Sequence, residues 1–162
     1  MLLQQHQPTS TGIGAISAQL SHSNWKLFWK VKLPARILTC VWKIMQDSFP
    51  MFETLQRRGV MNSANCLMCD SEVESTSHLF LQCNFARVVW HGSALAIRTT
   101  ELNTFSVKQW IWNYIKTNSI TGSMKMELPQ AMFTLLWSIW NHRNMVLHKG
   151  KVPNPMEVVL MS

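Results

Sequence analysis

Four side chains able to bind a metal lie close together near the middle of the chain: Cys66, Cys69, His78 and Cys83, spaced C-x2-C-x8-H-x4-C. Three thiolates and one imidazole are the ligands of a closed, tetrahedral structural zinc site. The two cysteines that are two residues apart can direct both sulfurs at one ion, and the second pair completes the tetrahedron. Because four protein ligands leave no position for a water molecule, we expect a Zn²⁺ ion that stabilises the fold and performs no reaction.

Other interpretations of these cysteines explain less of the pattern. A redox-active C-x2-C pair of the thioredoxin type needs a βαβ context, which this segment lacks, and it leaves His78 and Cys83 without a role. The zinc knuckle C-x2-C-x4-H-x4-C has the same ligand order but a shorter middle gap. Cys40 lies within an apolar helical pattern and is interpreted as a small buried hydrophobic residue.

The acidic residues argue against catalysis. Of eight Asp and Glu residues, only Asp70, Glu72 and Glu74 are close together, and they lie in the segment between the ligands. A two-metal nuclease or polymerase needs several converging carboxylates. No nucleophile motif and no Gly-rich phosphate loop is present either. The sequence therefore predicts a chain that is not an enzyme and has no small-molecule substrate.

Basic residues dominate the first third of the chain, and the formal net charge is +7. No Asp or Glu precedes Asp47, and tryptophans alternate with the cations before it. Such a segment can attract phosphates and stack on bases, which makes RNA or DNA a candidate partner. The same cations would also suit the solvent-facing side of an amphipathic helical pair. The candidate nucleic-acid contacts are Trp25, Lys26, Trp29, Lys30, Lys32, Arg36 and Lys43.

The sequence favours an intracellular location, in the nucleus or the cytoplasm, over secretion. Met1, Leu2 and Leu3 are followed at once by polar residues, so no apolar signal-peptide core is present. No stretch reaches the roughly 18 apolar residues of a membrane-spanning helix, so no membrane partner is expected. In a reducing compartment, four cysteines favour metal binding over disulfides. Residues 1–23 are polar and aperiodic and are predicted to be a disordered leader.

Three short helices are predicted before the first ligand. Trp25, Phe28 and Trp29 have helical spacing and would share one face. Pro34 opens the second helix, and helical periodicity predicts that its apolar face consists of Ile37, Leu38, Val41, Trp42 and Met45. The third helix begins at Pro50 and ends at Gly59, after two arginines.

The spacing of the last two ligands constrains the chain between them. Ser75 or Thr76 is predicted to cap the helix that carries His78. A step of five residues on a continuous helix would place His78 and Cys83 about 140° apart. We therefore expect this helix to end or bend near Gln82. Asn84 then caps a new helix over 85–96, with Val88, Val89 and Leu95 facing inward.

The remainder of the chain is also predicted to be helical. One helix begins at Thr104 or Ser106, a second spans 129–148, and a third starts at Met156. The predicted fold class is mostly α, with a small zinc-bound hairpin or knuckle and an α-helical C-terminal connector. We expect four tryptophans of the connector to be exposed and to form a contact surface for a partner: Trp110, Trp112, Trp137 and Trp140.

Four stretches of the chain together resemble a known family. These are W-K-L-F-W-K-V-K-L-P-A-R-I-L-T-C-V-W over 25–42, L-Q-R-R-G over 55–59, the ligand segment 66–83, and A-R-V-V-W over 86–90. In order and spacing they resemble the zinc-binding domain that follows the polymerase in reverse transcriptases of plant non-LTR (LINE-type) retrotransposons. Glu74 fills the acidic position of that family's E-x3-H-L-F-x2-C element. Met51 departs from the family, which usually has a helix-capping threonine there.

The resemblance implies a division of the chain and a function. Residues 24–98 would be the zinc-binding domain, 104–150 a helical connector toward a ribonuclease H domain, and 151–162 a truncated tail. The implied function is a non-catalytic zinc module that assists RNA or DNA binding. The alternative is a scaffold, or protein-interaction remnant, beside a neighbouring polymerase or ribonuclease H domain.

Overall fold

The computed structural model describes residues 24–102, 106–120 and 127–161. The predicted leader 1–23 and a helix start at Thr104 lie outside these residues. Within them, no helix has the length and apolar character needed to cross a membrane. The described residues contain helices and one isolated antiparallel bridge, but no extended strand. The prediction of a mostly α fold is confirmed.

The first helices follow the predicted pattern, with two differences in which residues are buried. Helix α1 covers residues 24–29, and α2 spans Ala35–Met45 directly after Pro34. Phe28 is fully buried, whereas Trp29 is 55% exposed, so the two rings do not share a buried face. Trp42 is also exposed, whereas Ile44, which was not assigned to the predicted apolar face, is buried on α2.

Helix α3 spans Phe52–Arg57 and begins two residues later than predicted. Its N-cap residue, Met51, makes no side-chain hydrogen bond to the helix and is 1% exposed. A buried apolar side chain therefore stands where the resembling family has a capping threonine. The helix ends at a turn in which Gly59 has a positive φ of 70°, a conformation that glycine adopts without strain.

The ligand segment leads into a second group of helices. A π-helical turn spans His78–Gln82, and α4 spans Asn84–Gly92. Helix α4 ends four residues earlier than the predicted 85–96. Val89 is buried as predicted, but Val88 is 46% exposed and faces away from the core. A single 3-10 turn, Thr99–Leu102, follows.

Three helices complete the described fold. Helix α5 spans Val107–Ile120, and Ser106 caps it through a reciprocal pair of hydrogen bonds with Gln109. Helix α6 spans Glu127–Lys149, and α7 spans Pro155–Leu160 with Asn154 as its N-cap.

One hydrophobic core joins the N-terminal helices, the ligand segment and the C-terminal helices. It includes side chains from α2, α4, α5 and α6, such as Ile44, Trp90, Ile111 and Phe133. Helix α6 packs along α2, and α7 packs against α4. The division between a domain at 24–98 and a connector at 104–150 stays a prediction, and the two segments share this core.

The expectation that the connector tryptophans are exposed was wrong for Trp110, which is 6% exposed and meets Trp90 edge-to-face. The other three are partly buried against aromatic or cationic partners within the chain. Trp112 packs edge-to-face on Trp25, with ring centroids 5.0 Å apart. Trp140 lies 4.2 Å from Phe49, measured between ring centroids. The aromatic residues of the C-terminal helices are thus largely covered by the N-terminal part of the same chain.

Candidate metal centre

A short hairpin presents the first two candidate ligands. The Cys66 N–H donates to the Glu72 carbonyl (2.8 Å), and the Glu74 N–H donates to the Ala64 carbonyl (2.7 Å). Between these pairs the chain reverses through Asp70, which has a positive φ of 54° and donates its N–H to the Cys66 carbonyl. Asp tolerates this left-handed conformation better than most residues. The turn therefore places both sulfurs of the C-x2-C pair on one side of the hairpin.

The π-helical turn resolves the spacing problem between the other two ligands. Ser75 caps this segment, because its hydroxyl accepts a hydrogen bond from the His78 N–H (3.1 Å). The Cys83 N–H then donates to the His78 carbonyl at 2.7 Å, five residues back. Cys83 itself has extended backbone angles, with φ −57° and ψ 135°. The prediction that the helix must end or bend near Gln82 is confirmed, and the bend takes the form of one widened turn.

The four candidate ligand atoms lie close enough together to surround one ion. The sulfurs of Cys66, Cys69 and Cys83 and a ring nitrogen of His78 all lie within 4.8 Å of one another. The two sulfurs of Cys66 and Cys83 are 3.9 Å apart, and Cys69 Sγ is 3.3 Å from His78 Nε2. A tetrahedral site with bonds of roughly 2.3 Å to sulfur and 2.0 Å to nitrogen requires ligand separations of about 3.5 to 3.8 Å. Both the donor atoms and their spacing fit a metal ion.

Burial and hydrogen bonds shift the pKa values of three of the candidate ligands, Cys66, Cys69 and His78. A hydrogen bond with Cys83, together with burial, raises the pKa of the Cys66 thiol to about 12. Burial also acts to raise the pKa of Cys69, but hydrogen bonds from the Ser71 hydroxyl and N–H outweigh it and lower that pKa. Burial acts to lower the pKa of His78, yet hydrogen bonds to the cysteine sulfurs raise it to about 9. The metal-free cluster therefore holds protons that a bound cation would displace.

A carboxylate orients the candidate imidazole ligand. Glu72 Oε2 lies 3.1 Å from His78 Nδ1, while Nε2 of the same ring faces the cysteine sulfurs. This arrangement fixes Nε2 as the metal-facing nitrogen, as carboxylate partners of metal-bound histidines commonly do. His78 is 3% exposed and Glu72 is 66% exposed, so the carboxylate covers the cluster from the solvent side.

A buried ion pair connects the hairpin to the long helix α6. The Glu74 carboxylate accepts two hydrogen bonds from Arg143, at 2.6 Å from Nη2 and 3.2 Å from Nε. It also accepts the Phe52 N–H at the start of α3 (3.2 Å). Neither charged side chain is more than 2% exposed. The Arg143 guanidinium lies over the Phe52 ring and near the Trp140 ring, so its faces are covered as well.

Trp90 connects the turn that follows His78 to α4. Its indole N–H donates to the Phe80 carbonyl at 2.7 Å, and the side chain is fully buried. The carbonyls at the end of a helical turn need such partners. The A-R-V-V-W stretch of the sequence therefore contributes the residue that locks the turn carrying His78 against the helix following Cys83.

Six of the seven candidate nucleic-acid contacts lie on the surface. Lys26, Trp29 and Lys30 on or beside α1 are exposed, and so are the three later cations, Lys32, Arg36 and Lys43. Trp25 is partly buried between Phe28 and Trp112 and offers little free ring surface. In the parts of the chain that the structure describes, none of these cations forms an ion pair.

Sequence reasoning missed the roles of Glu72, Glu74 and Arg143. It grouped the two glutamates as acids of the ligand loop, although Glu72 is 66% exposed beside His78 and Glu74 is buried against Arg143. Glu74 was noted for its place in a family motif, but nothing in the sequence pairs it with an arginine 69 residues away. The available signal for Arg143 was its place as the one Asp, Glu, Lys or Arg residue between the two ends of the long helix α6.

Comparison with known protein families agrees with this geometry. Residues 13–90 match the family described as zinc-binding in reverse transcriptase. Residues 13–90 are therefore similar to the zinc-binding domain of a reverse transcriptase. The match includes all four candidate ligands and begins within the predicted leader. The prediction of this domain from its motifs is confirmed.

One relative of this chain is a plant protein. The chain is 23% identical over 121 residues to the "Putative ribonuclease H protein" of Arabidopsis thaliana. The aligned region covers 75% of this chain but 19% of the Arabidopsis protein, so the chain spans about a fifth of that relative's length. No solved structure matches the chain.

Proposed function

We propose that this chain is a non-catalytic structural zinc-binding module derived from a retrotransposon reverse transcriptase, with Cys66, Cys69, His78 and Cys83 as the ligands of one Zn²⁺. The observation that carries the proposal is the convergence of these four ligand atoms within 4.8 Å. Soft thiolate ligands with one imidazole favour zinc over magnesium, calcium or manganese. Four protein ligands saturate a tetrahedral ion, which supports a structural role.

The ion would join three separate pieces of local structure. Cys66 and Cys69 come from the hairpin, His78 from the π-helical turn, and Cys83 from the junction with α4. Few backbone hydrogen bonds connect these pieces, so the metal would supply the link that a short hairpin cannot supply itself. The proposed role of the ion is therefore to hold α4 in position relative to the hairpin.

Metal analysis of the purified 162-residue chain tests the zinc assignment. We expect about one zinc per chain, and loss of zinc in Cys69→Ser. Cys40→Ala is the matched control, because Cys40 is buried in α2 and its burial raises the pKa of its thiol to about 12. Full zinc content in Cys69→Ser, or a folded wild-type chain that takes up no zinc, would contradict the proposal.

We further propose that the exposed basic surface of α1 and α2 binds single-stranded RNA or DNA. Trp25, Lys26, Trp29 and Lys30 line a cleft of about 490 Å³. Trp29 offers a ring that is 55% exposed for base stacking, and two lysines lie beside it for phosphates. The absence of ion pairs on these cations within the described residues leaves them available for an external anion.

A salt titration with matched variants tests nucleic-acid binding. The double variant Lys26→Gln/Lys30→Gln should weaken binding to a single-stranded RNA and reduce the slope of log K against log salt by about 1.4, since each lost phosphate contact contributes roughly 0.7. Lys108→Gln/Lys149→Gln removes the same charge from exposed positions on α5 and α6 and should retain most of the affinity. An equal loss of affinity in both variants, or an affinity that does not change with salt concentration, would count against the proposed surface.

The alternative function, a scaffold for a neighbouring domain, is favoured by the end of α7. Leu160 is 81% exposed and Met161 is 74% exposed, although Val158 on the same helix is buried. Exposed apolar side chains at the end of a packed helix suit a contact with further protein. If this surface mediates protein–protein contacts, Leu160→Gln/Met161→Gln should reduce the concentration-dependent self-association that sedimentation experiments measure. A wild-type chain that is monomeric at all concentrations would argue against the scaffold function.

A further inference from the structure

The second basic surface of the molecule is a cavity beside α4, and its lining includes none of the candidate metal ligands and no residue of α1 or α2. It has a volume of about 380 Å³, within the range of small-molecule sites. Its lining comes from α4 and from the segment that follows: Arg87, Val88, His91, Ile97, Arg98, Thr99 and Thr100. No acidic residue is among them.

Local chemistry explains why these two segments lie side by side. After α4 the Ser93 hydroxyl donates to the Trp90 carbonyl, and the chain reverses through Ala96, which has a positive φ of 46°. The Ile97 N–H then donates to the same Trp90 carbonyl at 3.1 Å. The returning segment therefore runs back along α4 and faces Arg87, which is one helical turn before His91.

Two buried polar atoms at this cavity have no partner. Thr99 is 2% exposed, and its hydroxyl forms no hydrogen bond. The Nε–H of Arg87 is also shielded from solvent and unpaired, while Nη1 of the same side chain reaches only Asn84 at 3.5 Å. Native proteins leave few such groups unsatisfied, so a cluster of two needs an explanation.

The cations of the cavity are also unpaired with acids. Among the described residues, neither Arg87 nor Arg98 forms an ion pair, and Arg98 is exposed at the cavity. Glu101 is the acid nearest to Arg98 in the sequence, and it does not line the cavity. Guanidinium groups bind phosphate through paired hydrogen bonds, and a threonine hydroxyl can add another donor.

We propose that this cavity binds a phosphate-bearing ligand of nucleotide size. Arg87 and Arg98 bind the phosphate, the Thr99 hydroxyl adds a hydrogen bond, and Val88 and Ile97 form the apolar walls against which the rest of the ligand packs. The volume exceeds that of a lone phosphate ion, which is the reason for a larger ligand. A free nucleotide and a nucleotide of an RNA strand offer the same chemistry.

Calorimetric titration of the full metal-loaded chain with AMP tests the site. We expect saturable binding of one AMP per chain, with affinity roughly tenfold lower in Arg98→Ala. Arg58→Ala removes an exposed arginine outside the cavity and should leave the affinity unchanged. Thr99→Val is isosteric and removes an unpaired hydroxyl, so it should weaken AMP binding without lowering the melting temperature.

Competition with a ten-nucleotide single-stranded RNA separates the two sources of the phosphate. Displacement of AMP by the RNA identifies a strand as the ligand, and retention of AMP identifies a free nucleotide; either result supports the site. The proposal is overturned if neither AMP nor the RNA binds saturably. It is also overturned if Arg58→Ala weakens binding as much as Arg98→Ala, since binding would then follow net charge.

Discussion

The hairpin that carries the candidate ligands and the helical core beside it are stabilised by different forces. The core buries large apolar side chains such as Phe28, Phe133 and Ile139, and apolar burial stabilises without any ion. The hairpin has a single antiparallel bridge and is held by polar contacts to Cys66, His78 and Glu74. One fold therefore joins a polar hairpin that we propose to be held by a metal ion to a region that is stabilised by apolar burial.

Removal of the metal should produce the largest difference in stability between the hairpin and the helical core. Chelation should remove a stabilisation on the order of 10 kcal/mol from the hairpin and the turn carrying His78, because the proposed ion would link them. Hydrogen exchange should then show loss of protection around Cys66 and Cys83, with protection retained in α2 and α6. Uniform loss across all helices would show that the two regions unfold as one unit.

Breaking the buried ion pair tests the joint between the two regions. Arg143→Met should destabilise the chain by about 3–5 kcal/mol, because Glu74 would remain charged and buried without its partner. Chemical denaturation measures this change. The double variant Glu74→Gln/Arg143→Met removes the stranded charge and keeps an amide oxygen for the Phe52 N–H, so it should be the milder of the two. A double variant at least as unstable as Arg143→Met would contradict the argument.

Replacing Trp90 tests how α4 holds the turn that carries His78. Trp90→Phe should cost about 2 kcal/mol, because it removes the hydrogen bond to the Phe80 carbonyl and leaves part of a buried volume empty. Trp29→Phe changes the same residue type at an exposed position and should alter the free energy of unfolding by less than about 0.5 kcal/mol. Similar effects of both substitutions would show that the hydrogen bond contributes little.

The smallest expected effect concerns pH and the helical side of the molecule. Burial lowers the pKa of His142, whose Nε2 accepts the Asn154 N–H and whose ring stacks on Phe85. The folded chain therefore binds fewer protons at this site than the unfolded chain, whose histidine titrates near 6.5. Stability from this site is present above about pH 6.5 and is lost as the pH falls through the lower folded value.

A His142→Gln variant checks this assignment. Its denaturation midpoint should fall less steeply than that of the wild type between about pH 6.5 and 5. Parallel pH profiles for the two proteins would remove His142 as the cause.

Much of the fold was predictable because helical periodicity and capping residues are local signals. Ser75 was named with Thr76 as a candidate cap, and the structure selects Ser75. The bend near Gln82 was deduced from the spacing of His78 and Cys83, and the structure contains it. The errors concern which side of a helix is buried, at Trp42, Val88 and Trp110. An apolar residue near the edge of a helical face is buried only if another element packs there, and sequence spacing does not identify that element.

The types and spacing of the candidate ligands and the resemblance to a family are evident from the sequence, because a metal-binding motif consists of residues that are near one another in the chain. The tertiary structure was needed to show that Glu74 binds Arg143, 69 positions away, and that Glu72 orients His78. It also decided that a cavity of unpaired cations forms beside α4. These contacts depend on how helices pack in space, and packing is set by the shape of the whole core, which no local pattern records.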